Sequence, residues 1–265
     1  MTKTILTLLS LLCIPALSLA QGTGQDTGQD TGKESLYDQQ VAEQEKVWLN
    51  VGEQQQLAFY LTESSGTAYG GVLLIPDIAR HPATLGSINT MRIALSKHHW
   101  HTLALNMGGA NEEQSLDLIA AGIQFFNEKE IYNIAILGEG RGAAHAILYL
   151  ASKPPTDANS AKTDRISALI MVDANNSTSD NEAHILQKLA EVAIPVLDAF
   201  SNGDYIEQRQ ADKRKNIARG TINKTYHQVR LPQASGEQQN SDNSVTKRIR
   251  GWLDKNIAHL TAPLI

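Results

Sequence analysis

Cysteine is nearly missing from this chain of 265 residues, where Cys13 stands alone. A disulfide framework and a cysteine-based zinc site are both excluded. Aromatic residues are scarce at 5%, and charged residues make up only 19%, with a formal net charge of −5. That balance offers no broad basic surface for nucleic acid. The composition is neither collagen-like nor that of a wholly disordered chain. What is present is apolar: 42% of the residues are hydrophobic. The length suits one large domain or two small ones, able to bury roughly 70–75% of the unfolded surface.

The first twenty residues predict an export signal. Lys3 supplies a short basic start, and 5–19 is apolar except for Thr7, Ser10, Pro15 and Ser18. Ser18 and Ala20 fit the small-residue cleavage rule, so the cut falls before Gln21. The run is too short to span a bilayer as a retained anchor, leaving no transmembrane segment after cleavage. Leu12, preceding Cys13 where a small residue would be needed, argues against a lipoprotein. Cleavage removes Cys13 and Lys3 and takes the net charge from −5 to −6. A periplasmic destination is expected. Residues 21–44 then read as a disordered tether, because the Gly/Gln/Thr/Asp repeat beginning at Gly22 has no large apolar residue to offset its ordering.

Beyond the tether the hydrophobic period changes. Val47, Leu49 and Val51 alternate, as do Leu57, Phe59 and Leu61, with Gly52 and Glu53 between them. This predicts an antiparallel hairpin. Apolar runs at 71–76, 102–107, 133–137, 166–172 and 195–200 have the length of buried strands, and 226–231 alternates. Between them, 84–97, 112–127, 141–152, 181–191 and 206–219 read as helices, with 244–257 closing the chain. Apolar strands alternating with helices predict a mostly parallel sheet covered on both faces. The fold class is α/β, in three layers, with about eight strands and an antiparallel N-terminal hairpin.

The strand-turn-helix over 133–144 sits after the fifth strand, where a nucleophile elbow belongs. Other distinctive stretches are 72–77 followed by His81 and Pro82, 168–173, 194–198 before Asp204, 226–232 and 248–253. In this order they make residues 45–258 resemble the α/β-hydrolase fold. More narrowly, they resemble a proteobacterial α/β-hydrolase-like family known as domain of unknown function 3530. Residues 259–265 form a tail. The resemblance implies a fold and a place for a site, and no settled activity.

A G-x-S-x-G elbow works because its glycines allow a sharp turn that exposes a serine hydroxyl. Here Gly138-Glu139-Gly140-Arg141-Gly142 keeps the glycines, but Gly140 stands where the serine belongs. Residues 228–258 contain no histidine to serve as base, and Asp204 alone matches the position of the acid. Losing a nucleophile costs on the order of a million-fold in turnover. The expectation is a pseudoenzyme that acts by binding. Its ligand-binding residues would be Gly140, Arg141 and Gly142, where a helix start presents free N–H groups to a small anion, with His81 on the opposite loop. The alternative is an esterase-like hydrolase with displaced residues, using Ser177, Ser179 or Ser201 as hydroxyl and His81 as base.

Other motifs carry less. Gly138, Gly140 and Ala143 also fit G-x-G-x-x-A, with Asp173 as the acid. The motif lies mid-sheet, the acid is about thirty residues away rather than ~20, and export leads away from NAD. No cofactor is expected. His98, His99 and His101 flank Trp100, but a helix end running into a strand turns such neighbours apart, so no metal site is expected. His145 reads as a packed polar residue, and Glu112 and Glu113 favour a helix start. Residues 207–256 carry a net +6, concentrated in Arg209, Lys213, Arg214, Lys215 and Arg219 and in Lys247, Arg248 and Arg250. A solvated face is one reading of these basic C-terminal helices. An interaction module docking on an anionic envelope component is the other.

Overall fold

Side-chain alternation sets the strands. The computed structural model describes residues 38–78, 80–84, 86–153, 166–178, 182–201, 205–220, 225–231 and 243–260. Within it β1 (Lys46–Val51) and β2 (Gln54–Leu61) pair antiparallel across a turn at Gly52, whose φ of +58° suits glycine. The chain continues through β3 (Gly70–Ile75), α1 (Ser87–Ser96), β4 (Trp100–Leu105), α2 (Glu112–Glu128), β5 (Ile134–Glu139) and α3 (Arg141–Ser152). It ends with β6 (Ile166–Val172), α4 (Glu182–Glu191), β7 (Val196–Ser201), α5 (Tyr205–Arg219), β8 (Tyr226–Leu231) and α6 (Ser244–Asn256). The eight strands form one sheet in the order β1-β2-β4-β3-β5-β6-β7-β8, parallel from β4 to β8.

Two apolar layers sandwich this sheet. On one face Leu73, Ile75, Ile136 and Leu169 pack with Ile123 and Phe126 of α2, Ile147 of α3 and Ile185 of α4. On the other, Val72, Leu74, Leu137 and Ile170 pack with Met91 and Leu95 of α1 and Ile249 and Leu253 of α6. The period-two alternation along each strand sends successive side chains to opposite layers, both of them apolar. Burying each such side chain stabilises the fold by roughly 1.5–3 kcal/mol. Asn111 opens α2 with a reciprocal capping box: its Oδ1 accepts from the Gln114 N–H at 2.9 Å, and Gln114 Oε1 accepts from the Asn111 N–H at 3.0 Å.

Several expected boundaries move, β5 among them, which ends at Glu139 rather than 137, and three shifts have a visible cause. The strand expected at 102–107 begins at Trp100, because His99 takes a φ of +70° and lets Trp100 and His101 pair with Gly70 and Gly71. The helix expected from 84 begins at Ser87, after Gly86 in extended backbone. The tether expected over 21–44 does not reach 44. Two short 3-10 helices occupy Asp38–Gln40 and Glu43–Glu45, and Asp38 is buried. The physical reason is pairing: Asp38 meets His81 Nε2 at 2.8 Å, and Glu45 receives the buried Arg92 at 2.6 Å. The export signal, 21–37 of the tether and 261–265 of the tail lie outside the described residues. Among the described residues no helix is long and apolar enough to cross a membrane.

Candidate functional site

The turn between β5 and α3 has no room for a side chain at its glycines. A Cβ on Gly138 would meet Ala143 N at 2.6 Å, and one on Gly142 would meet the Ile75 and Pro76 carbonyls at 2.5 Å. Gly140 takes φ 56° and ψ −122°, a strained conformation open to glycine. Its N–H donates to the Val172 carbonyl at 3.1 Å, and its own carbonyl accepts from Asn175 N–H at 3.0 Å. The turn is therefore pinned to the end of β6.

The anion that the sequence predicts at this helix start has a counterpart inside the chain. Asp77, at the end of β3, accepts the Arg141 N–H on Oδ2 at 3.1 Å, and its Oδ1 lies 3.6 Å from Arg141 Nη2. A Cβ on Gly140 would lie inside contact distance of the same Oδ2. A carboxylate at the positive end of a helix dipole is favourable. Asp77 thus holds the place that a nucleophile side chain, or a free anion, would take. Arg141 pairs with this carboxylate, and the ring nitrogens of His81 bond elsewhere. His81 gives Nε2 to Asp38, and its Nδ1 accepts the Ala83 N–H at 3.2 Å.

Beside the turn, Glu139 is buried at the end of β5. Ser87 Oγ donates to its Oε1, and Arg80 Nη1 reaches the same oxygen at 3.4 Å. Burial pushes this carboxyl above the ordinary carboxylate range; Ser87 and Arg80 oppose the rise, and Asp173 and Asp77 add to it. Asp173 ends β6 with a φ of +46°. Ser201 holds it there, donating its N–H to Oδ1 at 2.5 Å and its hydroxyl to Oδ2 at 2.8 Å.

The hydroxyls of the displaced-hydrolase alternative are not placed with His81. Ser201 serves Asp173, Ser177 Oγ is buried without a hydrogen-bond partner, and Ser179 lies outside the described residues, as does Asp204. A hydroxyl does meet an imidazole at Ser65 Oγ and His99 Nδ1, 2.7 Å apart, but at the amino end of the sheet. There Glu63 also accepts from Ser65, at 2.5 Å, so the carboxylate orients the hydroxyl and not the histidine. His99 stacks on Tyr69, and His101 meets Tyr60 Oη at 2.9 Å, which separates the three neighbouring histidines. Among the described residues no group of three or more potential ligands could hold a metal ion. His145 is buried in α3 with Nδ1 unpartnered, and burial holds its pKa below the usual imidazole value.

The basic C-terminal helices do not form one surface. Helix α5 lies against α4 and β7, whereas α6 lies against α1 on the opposite face of the sheet. Arg214 is buried, with Nε 2.9 Å from Asp198 Oδ2 and Nη2 2.9 Å from Oδ1. Lys213 bridges to Glu182 at 2.6 Å. Only part of the counted charge faces outward.

Ser87 and Asp38 lie in no sequence motif, whereas Asp77 ends the stretch 72–77 and Glu139 sits within the elbow, without a role assigned to either. The available signal was positional: acids directly after apolar strands collect at the carboxyl edge of a parallel sheet, where such folds place ligands.

Eight strands in this order, crossed right where a strand turns sharply into a helix, define the α/β-hydrolase fold. The chain belongs to the family described as protein of unknown function (DUF3530), whose profile matches residues 6–116 and 108–255. No curated protein matches it. Among solved structures it is similar to Est1E from Butyrivibrio proteoclasticus, at 13% identity and a TM-score of 0.58, covering 80% of this chain and 99% of that one. The esterase domain of a Rhodothermus marinus protein gives 12%, 0.59, 80% and 98% in the same order. A dienelactone hydrolase from Anabaena variabilis ATCC 29413 gives 13%, 0.60, 80% and 97%. At such identities the likeness speaks for the fold alone.

Proposed function

We propose that this chain is an exported, non-catalytic member of the α/β-hydrolase fold that acts in the periplasm by binding a small molecule at the carboxyl edge of its sheet. The observation that carries this reading is Asp77, whose carboxylate accepts the first N–H of α3 and fills the space beside Gly140. An acyl-transfer enzyme needs an activated nucleophile at that point and open N–H donors for an oxyanion. Here the nucleophile position is glycine, and the Arg141 donor is spent on an internal acid. The hydrolase neighbours bring an acyl substrate to mind, but the contacts at this elbow oppose turnover of one.

A fluorophosphonate probe and a p-nitrophenyl ester test the reading together. The purified mature protein should take up no probe and hydrolyse the ester at the buffer rate. Covalent labelling at a single serine would overturn it. The intact mass of the exported protein should begin at Gln21, and a retained Met1 or an acyl chain would overturn the processing.

A further inference from the structure

A cavity of about 330 Å³ lies beside the elbow, lined among others by Arg80, His81, Thr84, Ser87 and Glu139. Its hydrogen-bonding inventory is lopsided. His81 has spent both ring nitrogens, on Asp38 and on the Ala83 N–H. Thr84 Oγ1 gives its one proton to the His81 carbonyl at 2.7 Å, and Ser87 Oγ gives its proton to Glu139 Oε1. Each hydroxyl keeps lone pairs and no donor. Glu139 Oε1 takes both Ser87 and Arg80, while Oε2 has no hydrogen-bond partner among the described residues. The side chains of the lining therefore offer three acceptors, Oε2 and the Ser87 and Thr84 oxygens, beside the uncapped start of α1 at 86–88. Its one cation is Arg80, with a side chain 61% exposed and a single long contact of 3.4 Å.

Resting on the binding reading above, we propose that this cavity takes the ammonium group of a small zwitterion, an α-amino acid or the first residue of a peptide, with the ligand's carboxylate or next carbonyl toward Arg80. An ammonium brings three donors and no acceptor, which matches the three side-chain acceptors, while the ligand's carboxylate or carbonyl would meet Arg80 and the α1 start. Its charge also compensates a buried carboxyl that otherwise resists ionisation. A neutral polyol leaves that charge uncompensated. A bare anion meets Glu139 with Asp77 and Asp173 behind it.

The test is titration of L-alanine into the mature protein, followed by backbone amide shifts. Saturable shifts are expected at Arg80, Ser87 and Glu139. N-acetylalanine, which lacks the ammonium, should bind at least roughly tenfold more weakly, the worth of a charged hydrogen bond. Alanyl-alanine binding more tightly than alanine marks a chain terminus as the source, and weaker binding marks the free amino acid. Glu139→Gln and Ser87→Ala should each weaken alanine roughly tenfold. Arg80→Ala should erase the preference for alanine over alaninamide. The proposal fails if alanine gives no saturable shift, if N-acetylalanine binds equally, or if Ser87→Ala, folded by circular dichroism, binds as before. A silent titration removes this ligand class and leaves the non-catalytic reading intact, which probe labelling or ester turnover overturns.

Discussion

A side chain at position 140 would share its place with the Asp77 carboxylate, and the backbone there has φ +56°. Gly140→Ser should therefore not restore a hydrolase. Strain at such φ/ψ costs about 1–3 kcal/mol, and displacing Asp77 from the α3 start adds to it. Thermal unfolding should fall by roughly 2–4 °C for each kcal/mol lost in a domain of this size. Adding Asp77→Ala should recover part of that loss, since it removes the clash. A serine variant as stable as the parent would show that the two groups do not compete. Glu139 makes a second residue-scale prediction. Its pKa is raised on folding, chiefly by burial, so the neutral form is the one the fold favours. Its contribution is fully present below the unfolded pKa and is lost as pH rises through the folded one. Glu139→Gln, fixed in the neutral state, should match the parent at low pH and gain on it in that window. Melting curves taken across the acid range check this, and a gap that narrows with rising pH would contradict it. Gly140 was legible in the sequence because an elbow has a pattern. Asp77 was not, because its partner is 64 residues away and only the sheet brings β3 beside β5.

The elements were legible where hydrophobic period and length agree. Strand β6 and helix α3 fall on the expected residues, 166–172 and 141–152, since an apolar run bounded by polar residues leaves little freedom. Strand β4 shifted by two residues, because pairing with β3 and the turn at His99 decide its start. Helix α5 shows where composition misleads. Arg214 counts as surface charge in the sequence, yet it is buried. Besides Asp198, it donates to the Ala174 carbonyl at 2.7 Å and to Asn176 Oδ1 at 2.8 Å. Tyr226 of β8 donates to the same Asp198, and Gln228 Nε2 reaches it at 3.0 Å. One buried ion pair thus ties α5, β7, β8 and the loop after β6 together. Arg214→Met should cost about 3–5 kcal/mol, because it leaves the Asp198 charge buried and unpaired. Joining it with Asp198→Leu should recover most of that loss, as an apolar pair of similar volume often equals a buried ion pair. Denaturant midpoints of the two variants decide the point, and equal losses would mean that packing, not charge, holds α5.

At the scale of the whole molecule, the N-terminal segment 38–45 closes the fold that the hairpin begins. Val41 joins the apolar layer shared by α1 and α6. Asp38 and Glu45 bind His81 and Arg92, which stand on the loop after β3 and on α1. His81 and Ser87 of α1 line the same cavity, so the segment braces one wall of the candidate site from behind. A repeat of Gly, Gln, Thr and Asp predicts disorder up to this point, but repeat composition says nothing about where pairing partners begin. Removing 21–37 should leave the melting temperature unchanged. Removing 21–45 should lower it, because Arg92, with a side chain only 4% exposed, then loses its carboxylate. A buried arginine left without its partner costs about 3–5 kcal/mol, and the lost packing of Val41 deepens the fall. The two truncations therefore separate a spacer from a structural brace. If both melt alike, the Asp38 and Glu45 contacts add nothing to the fold. If the longer truncation alone melts early and Glu45→Gln reproduces part of the loss, the domain begins at Asp38.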